Sequence, residues 1–192
     1  MSSWPALFLL ALIAVNVCAG GLHEPTIIES WENSVIHNQA GSAAGWYISE
    51  RIHSNIVVTP SSEHVTSGKK SLRIDSDGGW SQVLMYQENT EDGKPAGVPL
   101  REQLINRLTL NLDVFTGENL DWSKVEIAMQ GNALPWTQLN TNALLPGPTN
   151  IKYLIPLKVG AAIEKCDRWF QFFIIINTSS KGTIYIDSLG VE

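Results

Sequence analysis

Leu108, Leu110, Leu112 and Val114 alternate with Thr109, Asn111 and Asp113, and Val125, Ile127 and Met129 alternate with Glu126, Ala128 and Gln130. A repeat of two sends successive side chains to opposite faces of an extended chain, so each run is a strand with one face toward a core. The same alternation follows a glycine turn in the run Ser67 to Trp80 (SGKKSLRIDSDGGW) and closes the chain in Gly182 to Val191 (GTIYIDSLGV). Further strands are predicted over Ile27–Trp31, Trp46–Ile52, Ile56–Thr59, Ser71–Ile74, Trp80–Gln87, Trp136–Leu139, Ile151–Pro156, Trp169–Asn177 and Thr183–Val191. Turn-rich breaks divide them, among them Asp77-Gly78-Gly79, Glu91-Asp92-Gly93-Lys94-Pro95, Gly131-Asn132 and Pro146-Gly147-Pro148. Only Leu100–Ile105 and Ala161–Cys166 have the pattern of helical turns. The run Phe170 to Ile176 is apolar on both faces and is expected to be a central strand covered on both sides. Many short strands at regular spacing predict an all-β chain folded as an antiparallel β-sandwich.

Residues 1–19 carry no charged side chain and hold an apolar run from Ala6 to Val15 ahead of Val17-Cys18-Ala19. That pattern predicts a secretory signal peptide, with 20–192 as a single mature domain. A short membrane anchor is the alternative, because only the amino terminus supplies positive charge. Cys18 leaves with the leader, so Cys166 has no partner and no disulfide framework is expected. The net charge of −6 and a single basic doublet, Lys69-Lys70, argue against DNA, RNA or heparin, whose binding draws on Lys and Arg clusters. A neutral ligand, an exported monomer and no membrane contact after cleavage are the expectations.

Catalytic patterns are sparse. The mature histidines, His23, His37, His53 and His64, have no metal-ligand spacing, and no nucleophile elbow, P-loop or dinucleotide fingerprint occurs. Glu50, Glu126 and Asp113 could in principle pair as acid and base on a glycosidic bond, yet solvated carboxylates on an acidic sandwich look the same.

The tryptophans say more. Trp46 follows Ala43-Ala44-Gly45, Trp80 follows Gly78-Gly79, and Trp136 follows Leu134-Pro135, each at a strand entrance beside a turn. Any one such ring can sit in the core or at the rim, or stay exposed as a stacking platform. Pyranose rings stack their C–H faces on indole while their hydroxyls need in-plane polar partners. Gln82 and Tyr86 in register with Trp80, Glu126 and Gln130 beside Val125 and Met129, and Gln138 beside Trp136 would supply them. Trp31, Trp122 and Trp169 are assigned to the core.

Several short segments together resemble the β-jelly-roll carbohydrate-binding modules. They are Glu29-Ser30-Trp31-Glu32-Asn33, Gly45-Trp46, the run from Val65 to Ile74, the strand from Leu110 to Val114, and Ile184-Tyr185-Ile186-Asp187-Ser188-Leu189. The resemblance spans nearly all of the mature chain and implies a jelly roll of the galactose-binding-domain-like kind. The placing of Trp46, Trp80 and Trp136 is most similar to the mannan-binding modules of family 27. What this implies is a non-catalytic, secreted protein that binds a neutral polysaccharide, mannan or glucomannan first and β-glucan next. It also implies a structural calcium ion held by Glu32 (or Glu29), carbonyls near Ser67 and Lys70, and Asp187. Asp187 could instead only accept backbone N–H groups at the sheet edge. The rivals from other classes are a small jelly-roll enzyme that cleaves polysaccharide and an envelope or matrix adhesion protein.

Overall fold

A computed structural model describes residues 25–34, 36–37, 45–48, 56–89 and 100–192, the side chains of residues 37, 80–83 and 89 excepted. The leader expected at 1–19 lies outside the described residues. Among the described residues, twelve strands and two short helices follow in the order β1 (Thr26–Glu29), β2 (Ile36–His37), β3 (Gly45–Ile48), β4 (Val57–Ser61), β5 (Ser71–Ser76), β6 (Gly79–Asn89), α1 (Leu100–Leu104), β7 (Thr109–Thr116), β8 (Ser123–Gly131), β9 (Leu134–Leu139), β10 (Gly147–Leu154), α2 (Leu157–Glu164), β11 (Trp169–Thr178) and β12 (Gly182–Val191).

They form two sheets. Sheet A runs β10-β7-β12-β5-β4, with β1 also paired to β12, and sheet B runs β2-β3-β6-β11-β8-β9. Nearly every pair is antiparallel, as expected; the exception is the two-residue contact of β2 with β3, which is parallel. Between the sheets lies one core, built from the alternate residues of each strand. Leu110, Leu112 and Val114 enter it from β7, Ile184 and Ile186 from β12, Val125, Ile127 and Met129 from β8, and Phe170, Phe172, Ile174 and Ile176 from β11. The chain is therefore an all-β antiparallel sandwich of jelly-roll type.

Two irregularities shift which residues face outward. In β12 the register slips between Asp187 and Leu189. There Ser188 takes φ 27, so Asp187 points outward while Leu189 and Val191 return to the core. In β6 a bulge falls where Ile174 pairs with Leu84 and Ile175 with Gln82. The extra residue reverses the alternation: Leu84 and Tyr86 face the core, and Met85 and Gln87 face out.

Strand β11 is central, as its two-faced apolar run predicts, with β6 on one side and β8 on the other. Helix α2 begins four residues earlier than the expected Ala161–Cys166, directly after Pro156, which is extended at φ −60 and ψ 140. Proline tolerates that boundary because it has no N–H to leave unpaired, and Val159 and Ile163, one turn apart, carry the buried face. The expected core role of Trp31 agrees with its 2% exposure, but Trp122 is 41% exposed. Trp122 follows the turn between β7 and β8, just ahead of the half of β8 that the core covers.

Candidate functional site

The outer face of sheet B is built from rows that cross the strands. Gln171 on β11 pairs in register with Gln87 on β6 and with Gln130 on β8. Their amides form a chain: Gln130 Nε2 donates to Gln171 Oε1 at 2.6 Å, and Gln171 Nε2 donates to Gln87 Oε1 at 3.0 Å. Gly45 of β3 stands opposite Gln87 at the far end of the row. A row of mutually bonded amides is held in one orientation, and an amide carries both donor and acceptor groups.

The next row is apolar. Tyr47, Met85, Phe173 and Ala128 sit side by side, with Ile175 beyond, as a second cluster separate from the main core. All five are buried. Trp136 closes this face on β9: its ring lies 4.9 Å from that of Phe173 at 53°, and 43% of its surface is exposed. Gln138, paired with Ala128, is exposed on the same face. Trp136 and Gln138 thus stand at the edge of the face that the amide row crosses.

Of the residues expected to bind, the structure brings Trp136, Gln130 and Gln138 to this face. Trp80 and Gln82 pair through their backbones with Asn177 and Ile175, but their side chains lie outside the described residues. Trp46 is a correction. Its ring is 4% exposed and packs inside the sandwich, 5.0 Å from Trp31, 5.4 Å from Tyr86 and 6.2 Å from Phe172. Its Nε1 donates to Glu29 Oε2 at 2.9 Å, so the indole is satisfied without solvent. Trp46 therefore belongs to the core and not to a platform.

Glu126 is a second correction. It lies on the outer face, but it is 4% exposed and its carboxylate is paired with Lys124 Nζ at 2.5 Å. A buried, paired carboxylate has little left to offer a sugar hydroxyl. Tyr86, expected beside Trp80, is turned into the core by the β6 bulge, and burial pushes its phenol up to about 12. Sequence reading missed Gln87 and Gln171: the bulge hid the first, and the second sat inside a run judged only for its apolar character. The signal that could have found them was three glutamines at the same end of three strands.

The expected calcium ligands sit on either side of one turn. Glu32 Oε1 accepts the amides of Lys69 and, at 2.8 Å, Lys70. The Lys69 amide holds the Glu32 carboxyl below the usual range; desolvation opposes it, and the Lys70 amide and the two ammonium groups add to the lowering. Gly68, at φ 76, allows this approach, since a Cβ there would lie 2.3 Å from that oxygen. Glu29 is likewise filled, its Oε1 by the amides of Ser30 and Trp31 and the Ser34 hydroxyl. Oxygens turned toward N–H hydrogens do not fit a cation shared between Glu32 and Asp187. Asp187 accepts the amides of Thr66 at 2.5 Å and Ser67 at 2.8 Å on Oδ2, while its Oδ1 is buried with no hydrogen-bond partner.

No family model matches the sequence, and no curated protein matches it. Solved structures do. A carbohydrate-binding module of the β-sandwich superfamily, studied for its promiscuous specificity, superposes with a TM-score of 0.51 at 15% identity, over 83% of this chain and 62% of that one. This chain therefore spans less than two thirds of that protein's length. The family 11 carbohydrate-binding module of a cellulosomal cellulase from Clostridium thermocellum has a TM-score of 0.46 at 10% identity, over 87% of this chain and 93% of that one. A xylan-binding domain of family 22 has a TM-score of 0.44 at 12% identity, over 85% and 94%. The fold is thus a β-sandwich of jelly-roll type, similar to that of the first of these modules.

Proposed function

We propose that this chain is a secreted, non-catalytic protein that binds a neutral polysaccharide on the outer face of sheet B. The observation that carries this is the oriented amide row Gln87–Gln171–Gln130, with the exposed ring of Trp136 at its β9 end. Indole gives a sugar ring an apolar stacking surface, and uncharged amides both donate to and accept from hydroxyls. From β6 to β9 the row spans three inter-strand spacings, about 14 Å, which suits a short stretch of polymer better than a single ring. The mid-face is already occupied by the buried Tyr47–Phe173 cluster, so contact is through the amide row and the Trp136 edge.

Mannan or glucomannan is the preferred ligand class, with β-glucan next. Binding is favoured over cleavage because, of the carboxylates that could have paired, Glu126 is tied to Lys124 on sheet B and Asp113 lies on the outer face of sheet A, while Glu50 lies outside the described residues. The alternatives are a polysaccharide-cleaving enzyme and an adhesion protein of an envelope or matrix. Migration of the protein through gels containing each polymer separates the three. Selective retardation supports binding, a fall in polymer viscosity supports cleavage, and indifference to every polymer leaves adhesion.

A further inference from the structure

The outer face of sheet A carries an aromatic cluster outside the core. Phe115 on β7 and Tyr185 on β12 stand opposite each other. His64, from the segment after β4, lies flat on Phe115, with ring centroids 3.5 Å apart at 11°. Tyr185 meets the same imidazole at 4.5 Å and 60°, and donates its hydroxyl to Glu63. His64 is nevertheless exposed, and its backbone is held at φ 51. A left-handed conformation is unfavourable for a residue with a Cβ, and such strain gathers where a fold places a side chain for a ligand.

Beside the stacked rings opens a depression of about 340 Å³, bordered by His64, Thr66, Asp113, Phe115, Pro148 and Asn150. Concave sites of that order suit a small ligand. Asp113 is already engaged: its Oδ2 faces the Thr66 hydroxyl at 2.7 Å and its Oδ1 accepts Asn150 Nδ2 at 2.7 Å. It therefore fixes the Asn150 amide. The Asn150 Oδ1 and second N–H, and both imidazole nitrogens of His64, have no hydrogen-bond partner among the described residues.

These groups restrict what can enter. Asp113 and Asp187 face each other with no cation paired to either among the described residues, so phosphate, sulfate and uronate are repelled. A metal ion is disfavoured because the carboxylate oxygens are turned toward N–H and O–H donors. A wholly apolar ligand would leave the Asn150 amide unpaired. A neutral ring with an apolar face and hydroxyls at its edge meets both the aromatic wall and the amide.

We propose that this depression is a second saccharide site, which takes one neutral sugar residue such as a chain end, its ring against His64 and Phe115 and its hydroxyls on Asn150. It lies on the sheet opposite the amide row, so the protein would hold a polymer on one face and a chain end on the other. Ends are few in a long polymer, so retardation in polymer gels reads sheet B and not this site. The ligand class is shared with the polysaccharide reading, but the residues are separate, and the two can fail separately.

Amide NMR titration of the full chain with mannobiose, cellobiose and xylobiose tests it. A saturable shift of the amides of residues 64–66, 113–115 and 149–150 with at least one disaccharide is expected. His64→Gly removes the ring from a backbone conformation that glycine adopts freely, so the fold is kept while affinity read at these amides falls by about tenfold or more. Asn150→Ala, at an exposed position, weakens it by about threefold to tenfold. Trp136→Ala removes only shifts on sheet B. Shifts confined to the sheet A residues would sink the sheet B reading and support this one. Shifts confined to sheet B, no saturable shift with any disaccharide, or shifts at residues 64–66 whose affinity survives His64→Gly would overturn the proposal.

Discussion

Trp46 Nε1 donates to Glu29 Oε2 at 2.9 Å, joining the strand that opens sheet A to one near the edge of sheet B through a part-buried hydrogen bond. The indole also packs on Trp31, Tyr86 and Phe172. Trp46→Ala is therefore a stability variant: it removes a core aromatic and strands a carboxylate oxygen, for a loss of about 3–5 kcal/mol. Urea denaturation reads this directly. Any polysaccharide affinity of the fraction that stays folded is expected to match the parent.

Trp136 is the opposite case. Its ring is exposed and touches the sandwich through Phe173, so Trp136→Ala costs at most about 1.5 kcal/mol of stability. Its affinity for the retained polysaccharide falls by about tenfold or more, roughly 1.4 kcal/mol of binding free energy. Comparing the denaturation midpoint with the retardation of the same variant separates the two effects.

Gln171 is the middle of the amide row and holds both of its bonds. Gln171→Leu keeps the bulk, frees the neighbouring amides to rotate, and is expected to lower stability by only about 1–2 kcal/mol. Binding falls more than stability does, because the hydroxyl-reading groups are no longer fixed. Near-parent retention of polymer by a folded Gln171→Leu would exclude the row from the site.

Glu88 faces the core at the end of β6 and is 2% exposed. Burial raises its carboxyl above the ordinary value, and the Arg101 amide and guanidinium only partly oppose this. The folded state thus holds that proton more tightly than the unfolded chain does. The contribution is fully present below the unfolded pKa and is lost as pH rises through the folded one. Glu88→Gln is expected to gain stability relative to the parent at pH 7 and to show no gain at pH 4. Urea midpoints at the two pH values check the sign; a greater gain at pH 4 would contradict it.

Gly68 holds φ 76 while Glu32 occupies the place a side chain would need. Gly68→Ala combines left-handed strain with a displaced carboxylate and is expected to cost about 1–3 kcal/mol. Glu32→Gln restores only part of that loss, because the backbone strain remains; thermal melts of the single and double variants compare the two.

The strands were legible because alternation is a local property. Leu110 to Val114 and Val125 to Gln130 announce their buried faces without knowledge of any partner, and the apolar run of β11 announces its central place; Leu108, expected on the same buried face, lies ahead of β7 and is 56% exposed. The site was less legible because it depends on parity and register. One extra residue in β6 sends Tyr86 inward and Gln87 outward, and nothing local in the strand marks it. Trp46 and Trp136 stand in similar turn contexts, yet one lies across the core from Glu29 and the other on an edge strand. Asp187 was found for its place near the Gly68 turn, and the alternative of accepting backbone N–H groups is what its Oδ2 does. Its neighbour Asp113 could be paired with it only once β7 and β12 were known to be adjacent.

The most direct measurement is affinity electrophoresis of the full chain through native gels containing glucomannan, galactomannan, barley β-glucan, xylan or no polymer, run beside Trp136→Ala and Gln171→Leu. Retardation by one or two neutral polymers, lost in both variants while their fold is intact, is the predicted result. Equal mobility of the parent in every gel, or retardation that both variants retain, would contradict a polysaccharide site on the outer face of sheet B.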